Sequence, residues 1–307
     1  MKIQTEIPSY DSKEFQIKFI SNNDPVFGRN EAIKIVKIED VINYLKFPLP
    51  LHRTNYYDIM FIMEGGNSSK HCGLKKYTIS SSQIFFKAAG QITSGDVMDK
   101  NIKGYFCLVE GDFVSKNGFF KSPLSNFPFF RYGNNPIISL DPTDIERFVF
   151  LFDNIYRLYN ISQKDETRNS IIAAYLNVLL QEAASIHQKQ NKDELVISGS
   201  TSAEIISDKF KDLVAEHYLS KRQVKEYADL LFITPNHLNK VIKKATGRTA
   251  LDLIFEMLLM EAQILLKQTE MNIAEIAGYL SFEDTSYFIR FFKKHTGLTP
   301  VAYRKTA

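Results

Sequence analysis

Two stretches of this chain carry one pattern about 50 residues apart, and a repeat of that length constrains the fold more than any single segment can. The later copy runs from Ile273 to Arg304 and reads IAEIAGYLSFEDTSYFIRFFKKHTGLTPVAYR. Ile273, Ile276, Ala277 and Leu280 recur at helical spacing, after which Ser281 to Asp284 break the pattern and suit a turn and a cap. In the helix expected next, Tyr287, Phe288, Phe291 and Phe292 form an apolar face, and Thr285, Ser286, Ile289, Arg290, Lys293 and Lys294 are left on the other side. The earlier copy, VKEYADLLFITPNHLNKVIKKATGRT from Val224, places Tyr227, Ala228 and Leu231 inside, Thr234 at an N-cap and Pro235 at the first helical position. Lys243 to Thr249 (KKATGRT) echoes Lys293 to Thr299 (KKHTGLT), and in each the Gly suits the left-handed residue that ends a helix. Two helices joined by a tight turn form a helix-turn-helix, whose second helix enters the major groove while the first crosses the DNA backbone. The units expected are residues 222–246 and 272–296.

Charge distribution agrees with this reading better than net charge does. The sum is only +3, but no Asp or Glu occurs between Asp229 and Asp252, or from Thr285 to the C-terminus. Each acid-free window holds one reading helix and its Lys pair, so the positive potential is local. A single such window would be read as a solvated basic face; its repetition argues for nucleic acid.

These residues resemble the C-terminal domain of the AraC/XylS family of bacterial transcription regulators. Ser286-Tyr287-Phe288, Phe291 to Lys294, and Gly297 through Pro300 to Tyr303-Arg304 carry most of the resemblance, which covers roughly a third of the chain. It implies two helix-turn-helix units joined by a linking helix, with the second helix of each in successive major-groove segments. Carried over residue by residue, it makes Asn236, His237, Asn239, Lys240, Thr285, Ser286, Ile289 and Arg290 candidate base contacts. Thr234, Lys243, Lys244, Asp284, Lys293, Lys294 and Arg304 become candidate phosphate contacts, which position without specifying. Arg290 is the foremost base reader, because its fork matches guanine O6 and N7. Ser281 stands in the turn where the family usually has Gly, and Glu256 to Leu258 lacks the basic residue often found on the linking helix.

The linking segment, Leu251 to Lys267, is apolar almost all round, as a helix shared by two units would be. Reading helices held rigidly on one side of a duplex should lie about 34 Å apart, one turn of DNA.

With 307 residues, 44% of them hydrophobic, two domains are expected. From Lys2 to about Leu140 the chain breaks into short strand-like runs, among them Ala32–Ile38, Tyr57–Met63, Lys76–Ile79, Gln83–Lys87, Tyr105–Glu110 and Pro136–Ile138. Short strands without βαβ alternation indicate a β-sandwich or jelly-roll barrel over residues 1–140. Here the family resemblance implies a cupin-like domain for sensing and dimerisation, and Ala89-Gly90-Gln91-Ile92 is similar to a turn common there. A cupin metal site needs a His-x-His pair on one strand; His52 is followed by Arg53 and Thr54, His71 stands alone, and Glu64 precedes a Gly65-Gly66 hairpin tip. No metal or other cofactor is expected, nor any catalytic residue, since neither a G-x-S-x-G turn nor a Cys-His pair occurs. Dense aromatics, from Tyr56 to Phe130, fill a barrel interior, and a small-molecule effector pocket among them is an open alternative to a solid barrel that only dimerises.

Asp141-Pro142 starts a helix through Leu158, and a second runs from about Glu166 to Gln188 with apolar residues on more than one stripe. One face of this pair (residues 141–190) should pack on the barrel and the other meet a second copy of the chain, the alternative being a wholly intramolecular layer. Residues 191–203 read as a linker, and residues 204–307 as the DNA-binding domain. Cys72 and Cys107 form no CxxC pair and fit reduced thiols. No signal core or run of ~18 apolar residues occurs, so a cytoplasmic protein without membrane contact is expected. Double-stranded DNA, a second copy of the chain and RNA polymerase are the expected partners, the last two through the resemblance to activators. A cupin enzyme with an accessory DNA-binding domain is the distant alternative.

Overall fold

A computed structural model describes residues 7–20, 32–73, 75–117, 124–131, 134–161, 166–191 and 202–306. The chain divides into two compact units, Pro8–Val196 and Ile197–Ala307. The expected linker, residues 191–203, lies mostly outside the described residues.

The first unit is rich in sheet. Its strands are β1 (Ser9–Tyr10), β2 (Ile33–Lys37), β3 (Leu49–Thr54), β4 (Tyr56–Glu64), β5 (Ser68–Cys72), β6 (Lys75–Ile79), β7 (Gln83–Lys87), β8 (Thr93–Met98), β9 (Lys103–Glu110) and β10 (Ile137–Ser139). They form two five-stranded sheets, ordered β1-β3-β8-β5-β6 and β10-β7-β4-β9-β2. Among the described residues these strands pair antiparallel, except β1 with β3. Among the described residues the unit also holds three short α-helices, α1 (Ser12–Phe19), α2 (Ile38–Val41) and α3 (Phe113–Asn117), two long ones, α4 (Pro142–Asn160) and α5 (Glu166–Gln190), and two 3-10 turns at Leu124–Asn126 and Pro128–Phe130.

The second sheet is a middle layer. On β4, Ile59 and Phe61 belong to one core while Met60 and Ile62 belong to another. Because side chains alternate across a strand, a run such as Ile59-Met60-Phe61-Ile62 can be apolar throughout only if both faces are covered. One face packs on Cys72, Ile79 and Met98 of the first sheet. The other packs on α4 and α5 through Phe148, Phe152, Leu176 and Leu180. Phe152 lies between Tyr105 and Phe61, with ring centroids 5.2 and 5.4 Å away. Asp141 caps α4 by accepting from the Asp144 N–H at 2.7 Å.

Gly65 and Gly66 do not form a hairpin tip, as the sequence had indicated, but carry the chain from the second sheet to the first. Both have positive φ, 93° and 128°, and a Cβ on Gly65 would sit 1.8 Å from the Asn101 carbonyl oxygen. Cys72 and Cys107 are buried free thiols, and burial pushes the Cys72 thiol up to about 12. Among the described residues no cluster of three His, Cys, Asp or Glu could hold a metal ion, and no helix is long and apolar enough to cross a membrane.

His52 on β3 is 3% exposed. Its Nδ1 donates to the Pro50 carbonyl at 2.7 Å, and the rings of Phe15 and Phe19 surround it at 5.3 and 5.6 Å. Burial pushes its pKa down to about 4. An unfolded chain protonates this ring near pH ~6.5, the folded chain only near 4, so the unfolded state binds more protons between those values. Stability of the first unit should therefore be complete above pH ~6.5 and fall toward pH 4, by roughly 3 kcal/mol from this group. Urea unfolding at pH 7 and pH 4.5 tests it: His52→Asn, which keeps a donor for Pro50, should flatten the difference, and an undiminished difference would place the acid sensitivity elsewhere.

Candidate nucleic-acid interface

Among the described residues the second unit is built of helices: α6 (Ser202–His217), α7 (Val224–Leu230), α8 (Pro235–Thr246), α9 (Ala250–Gln268), α10 (Ile273–Tyr279), α11 (Thr285–Thr296) and α12 (Pro300–Lys305). Helix α9 supplies the shared core, with Ala250, Ile254, Leu258, Ala262, Ile264, Leu265 and Leu266 buried. Against its apolar composition, Glu261 is also fully buried and accepts a hydrogen bond from the Tyr218 hydroxyl at 2.9 Å.

The pairs α7–α8 and α10–α11 are built alike. In each, the residue after the first helix's C-cap has a left-handed backbone, Phe232 and Ser281 both at φ 56°. The next N–H turns back to the first helix, Ile233 to the Ala228 carbonyl at 3.0 Å and Phe282 to that of Ala277 at 2.8 Å. These positions repeat at an interval of 49 (281 − 232), whereas the caps Thr234 and Asp284 repeat at 50, because Glu283 is an added residue in the second turn. Phe232 is 95% exposed, a bulky side chain in a conformation that favours glycine. At the far ends, Gly247 and Gly297 terminate α8 and α11 at φ 72° and 78°. Thr249 and Thr299 then cap α9 and α12.

Exposure along residues 234–250 is repeated, position for position, along residues 284–300. Leu238, Val241 and Ile242 are buried on α8, and Phe288, Phe291 and Phe292 on α11. Opposite them, Asn236, His237, Lys240, Lys243 and Lys244 are exposed on the first helix, and Ser286, Arg290, Lys293 and Lys294 on the second. Thr285 and Ile289 are half-buried at the edge of that face. Two short helices thus present matched, acid-free faces bearing amide, hydroxyl, ammonium and guanidinium donors, the groups that bind base edges and phosphates.

Four expectations change. Tyr287 does not join the buried face: it is 50% exposed and leans on Phe282, with ring centroids 5.6 Å apart. Asn239 is a scaffold residue, since its side-chain oxygen accepts from the Ala250 N–H at 3.2 Å and holds the start of α9. Asp284 caps α11 through the Ser286 N–H at 3.0 Å, and a carboxylate that only accepts hydrogen bonds is unsuited to a phosphate. Arg304 turns inward, with Nε donating to the Leu266 carbonyl at 3.0 Å and Nη2 to that of Met271, so it clasps α12 to the end of α9. Thr234 also caps, accepting from the His237 N–H at 3.2 Å, but its hydroxyl can donate elsewhere.

Arg222, which no motif in the sequence marks, joins the two helix pairs. Lying just before α7, it donates to the Leu280 carbonyl at the end of α10 and places its guanidinium carbon 4.2 Å from the Phe282 ring centroid. No local pattern signals it, because its partners are 58 and 60 residues away (280 − 222 and 282 − 222).

This geometry is that of a DNA-binding helix-turn-helix domain, and residues 227–306 match the sequence family described as a helix-turn-helix domain. The domain is of the AraC type. Similar curated proteins include the HTH-type transcriptional regulator YijO of Escherichia coli K12, 24% identical over 156 residues, or 51% of this chain and 52% of YijO. The transcriptional regulatory protein YesN of Bacillus subtilis 168 is 30% identical over 118 residues, 37% of this chain and 32% of YesN. The chain thus spans about half the length of YijO and a third of YesN. A solved C-terminal domain of the response regulator yesN from Fusobacterium nucleatum is 31% identical, covering 34% of this chain and 100% of that one, with a TM-score of 0.31.

Removing the tie between the pairs should loosen the unit. Arg222→Ala is expected to lower stability by about 1–2 kcal/mol in urea unfolding of the full chain followed by helical circular dichroism. Arg222→Lys should recover only part of the loss, since an ammonium lacks the planar fork that reaches a carbonyl and lies over a ring. An unchanged midpoint for the Ala variant would remove Arg222 from the architecture.

Proposed function

We propose that this protein is a sequence-specific transcription regulator that reads duplex DNA with α8 and α11 as the second helices of two helix-turn-helix units. The observation that carries the reading is the position-for-position match of exposure between residues 234–250 and 284–300, with acid-free donor faces on both. Helix α9 spaces the two readers, which engage successive major-groove segments about 34 Å apart on one side of the duplex. Asn236, His237, Lys240, Ser286 and Arg290 face the bases, while Lys243, Lys244, Lys293 and Lys294 hold phosphates. The first unit acts as a cupin-like sensor, and the whole works in the cytoplasm as an activator that recruits RNA polymerase.

Arg290→Ala supplies the test. Against a duplex selected from random sequence by the wild-type protein, its affinity in a gel shift should fall by roughly 1–3 kcal/mol, while its affinity for unselected DNA falls far less. Lys293→Ala should weaken both nearly equally and reduce the slope of log K against log salt by about 1. Equal loss on selected and unselected duplexes would demote Arg290 to a phosphate contact, and a wild-type protein that selects no sequence would refute the reading.

Dimerisation is assigned to α5. Its inner face is buried, yet Ile171 and Val178 are 41% and 47% exposed, with half-buried Tyr175 midway, so the three make one apolar stripe at helical spacing. On α4, packed against it, Phe150 is 60% exposed. An isologous contact between two copies would cover this stripe. Val178→Lys should shift micromolar protein from dimer to monomer in sedimentation without loss of helix; a wild-type protein already monomeric there would exclude the assignment.

A further inference from the structure

Arg248 stands one residue past Gly247, which ends the first reading helix, and so close to the Lys243 and Lys244 of its last turn. Its backbone is fixed by Thr246, whose hydroxyl accepts from the Arg248 N–H at 3.2 Å, and Thr296 holds Leu298 in the second unit in the same way at 3.2 Å. The two turns are alike in backbone, but the first presents a cation where the second presents an apolar side chain. A guanidinium in that place is suited to a phosphate, which its planar fork can hold with two hydrogen bonds. It is already engaged, however: Arg248 Nη1 donates to Glu256 Oε2 of α9 at 2.7 Å. Glu256 lies between the two readers, because Phe255 beside it meets Phe291 and His295 of the second, with ring centroids 5.3 and 5.8 Å apart. One turn earlier on α9, Asp252 has a structural task. It completes a capping box with Thr249, and those hydrogen bonds, with Arg248 and His295 adding less, hold its carboxyl below the usual range. Glu256 neither caps a helix nor enters the core. Both members of its ion pair keep 46% of their side-chain surface exposed, and a pair so open to water adds little to the stability of a fold. A carboxylate on the helix between two DNA readers also repels the duplex. Its place is explained by DNA binding better than by folding.

We propose that Glu256 competes with DNA phosphate for Arg248. In the free protein the carboxylate holds the guanidinium; on the duplex a phosphate oxygen takes its place and Glu256 turns to solvent. Exchanging one anion for another gains less than a contact made by an unengaged cation, so the first reader holds the backbone of any duplex less tightly. Phosphate contacts position without specifying, and the restraint therefore acts on selected and unselected DNA alike, leaving preference among sequences to the base-facing side chains. The second reader carries Leu298 at this place, so the restraint falls on one half of the DNA-binding face. This role rests on α8 and α11 being the DNA readers, and the measurements below separate the two claims.

Gel shifts of the full-length protein on selected and unselected duplexes, across a salt series, test the proposal. Glu256→Gln, which keeps an oxygen for Arg248 but not the charge, should bind both duplexes about two- to fivefold more tightly, with the ratio between them unchanged. Arg248→Gln should weaken both and lower the slope of log K against log salt by about 1. With Arg248 already replaced by Gln, Glu256→Gln should lose most of its effect, and this cycle separates competition for Arg248 from plain repulsion of DNA by a nearby carboxylate. Circular dichroism should be unchanged in all three variants, since both side chains are half exposed. The inference is overturned if Glu256→Gln binds no more tightly than the wild type, if its gain is undiminished without Arg248, or if Arg248→Gln leaves the salt slope as it was. Absence of sequence preference in the wild type would refute the DNA-reading proposal instead, because the competition is read equally well on unselected duplex.

Discussion

Burial of two apolar triads, one on each reading helix, is the constraint on which the DNA-binding unit depends. Leu238, Val241 and Ile242 on α8, and Phe288, Phe291 and Phe292 on α11, each fix the rotation of a helix that has only one apolar face. Burying three such side chains is worth roughly 6 kcal/mol at about 2 kcal/mol each, whereas a helix cap contributes about 1 kcal/mol. The triads therefore decide which residues face outward, and Thr234, Asp284, Gly247 and Gly297 decide where the helices begin and end. Since the triads differ in size, the core around α9 cannot be symmetric. Phe255 meets Phe291 edge-on, with ring centroids 5.3 Å apart, on the side of the larger triad.

The first unit answers to a different constraint. Its middle sheet must be covered twice, by the other sheet and by α4 with α5, and the unbroken apolar runs of β4 and β9 are the consequence. The first sheet has no such need. Its inner face holds Lys70 and Thr93 as well as Cys72 and Met98, and so combines structure with a polar cavity wall. Both sheets keep buried charged groups on the faces they turn to each other, Lys70 on the first and Asp58 and Lys87 on the middle one, which packing alone would not keep.

That contrast explains which strands could be read in advance. Of the runs read in advance, those at β2, β4, β7, β9 and β10 lie in the middle sheet, where continuous hydrophobicity marks a doubly covered strand, and the run at β6 lies at the edge of the first. Strands β3, β5 and β8, which read LPLHRT, SSKHC and TSGDVM, went unrecognised, because polar residues on an inner face erase the alternation that would announce them. Helix α1 was missed for a related reason: only Phe19 is buried on it, and its start depends on a capping box between Asp11 and Glu14 rather than on an apolar stripe.

In the second unit the sequence by itself determined the two helix pairs, their ends and their duplication, because each is encoded in spacing within a turn or two. Tertiary structure alone decided what the remaining polar side chains do. Asn239 and Arg304 look like donors available to DNA until the start of α9 and the carbonyls of Leu266 and Met271 are brought within reach of them. Arg222 looks like an ordinary surface cation until α10 delivers Leu280 and Phe282. Local periodicity records which side of a helix is apolar, but a hydrogen-bonding group is claimed by whichever partner the fold brings closest, and that partner can lie anywhere in the chain.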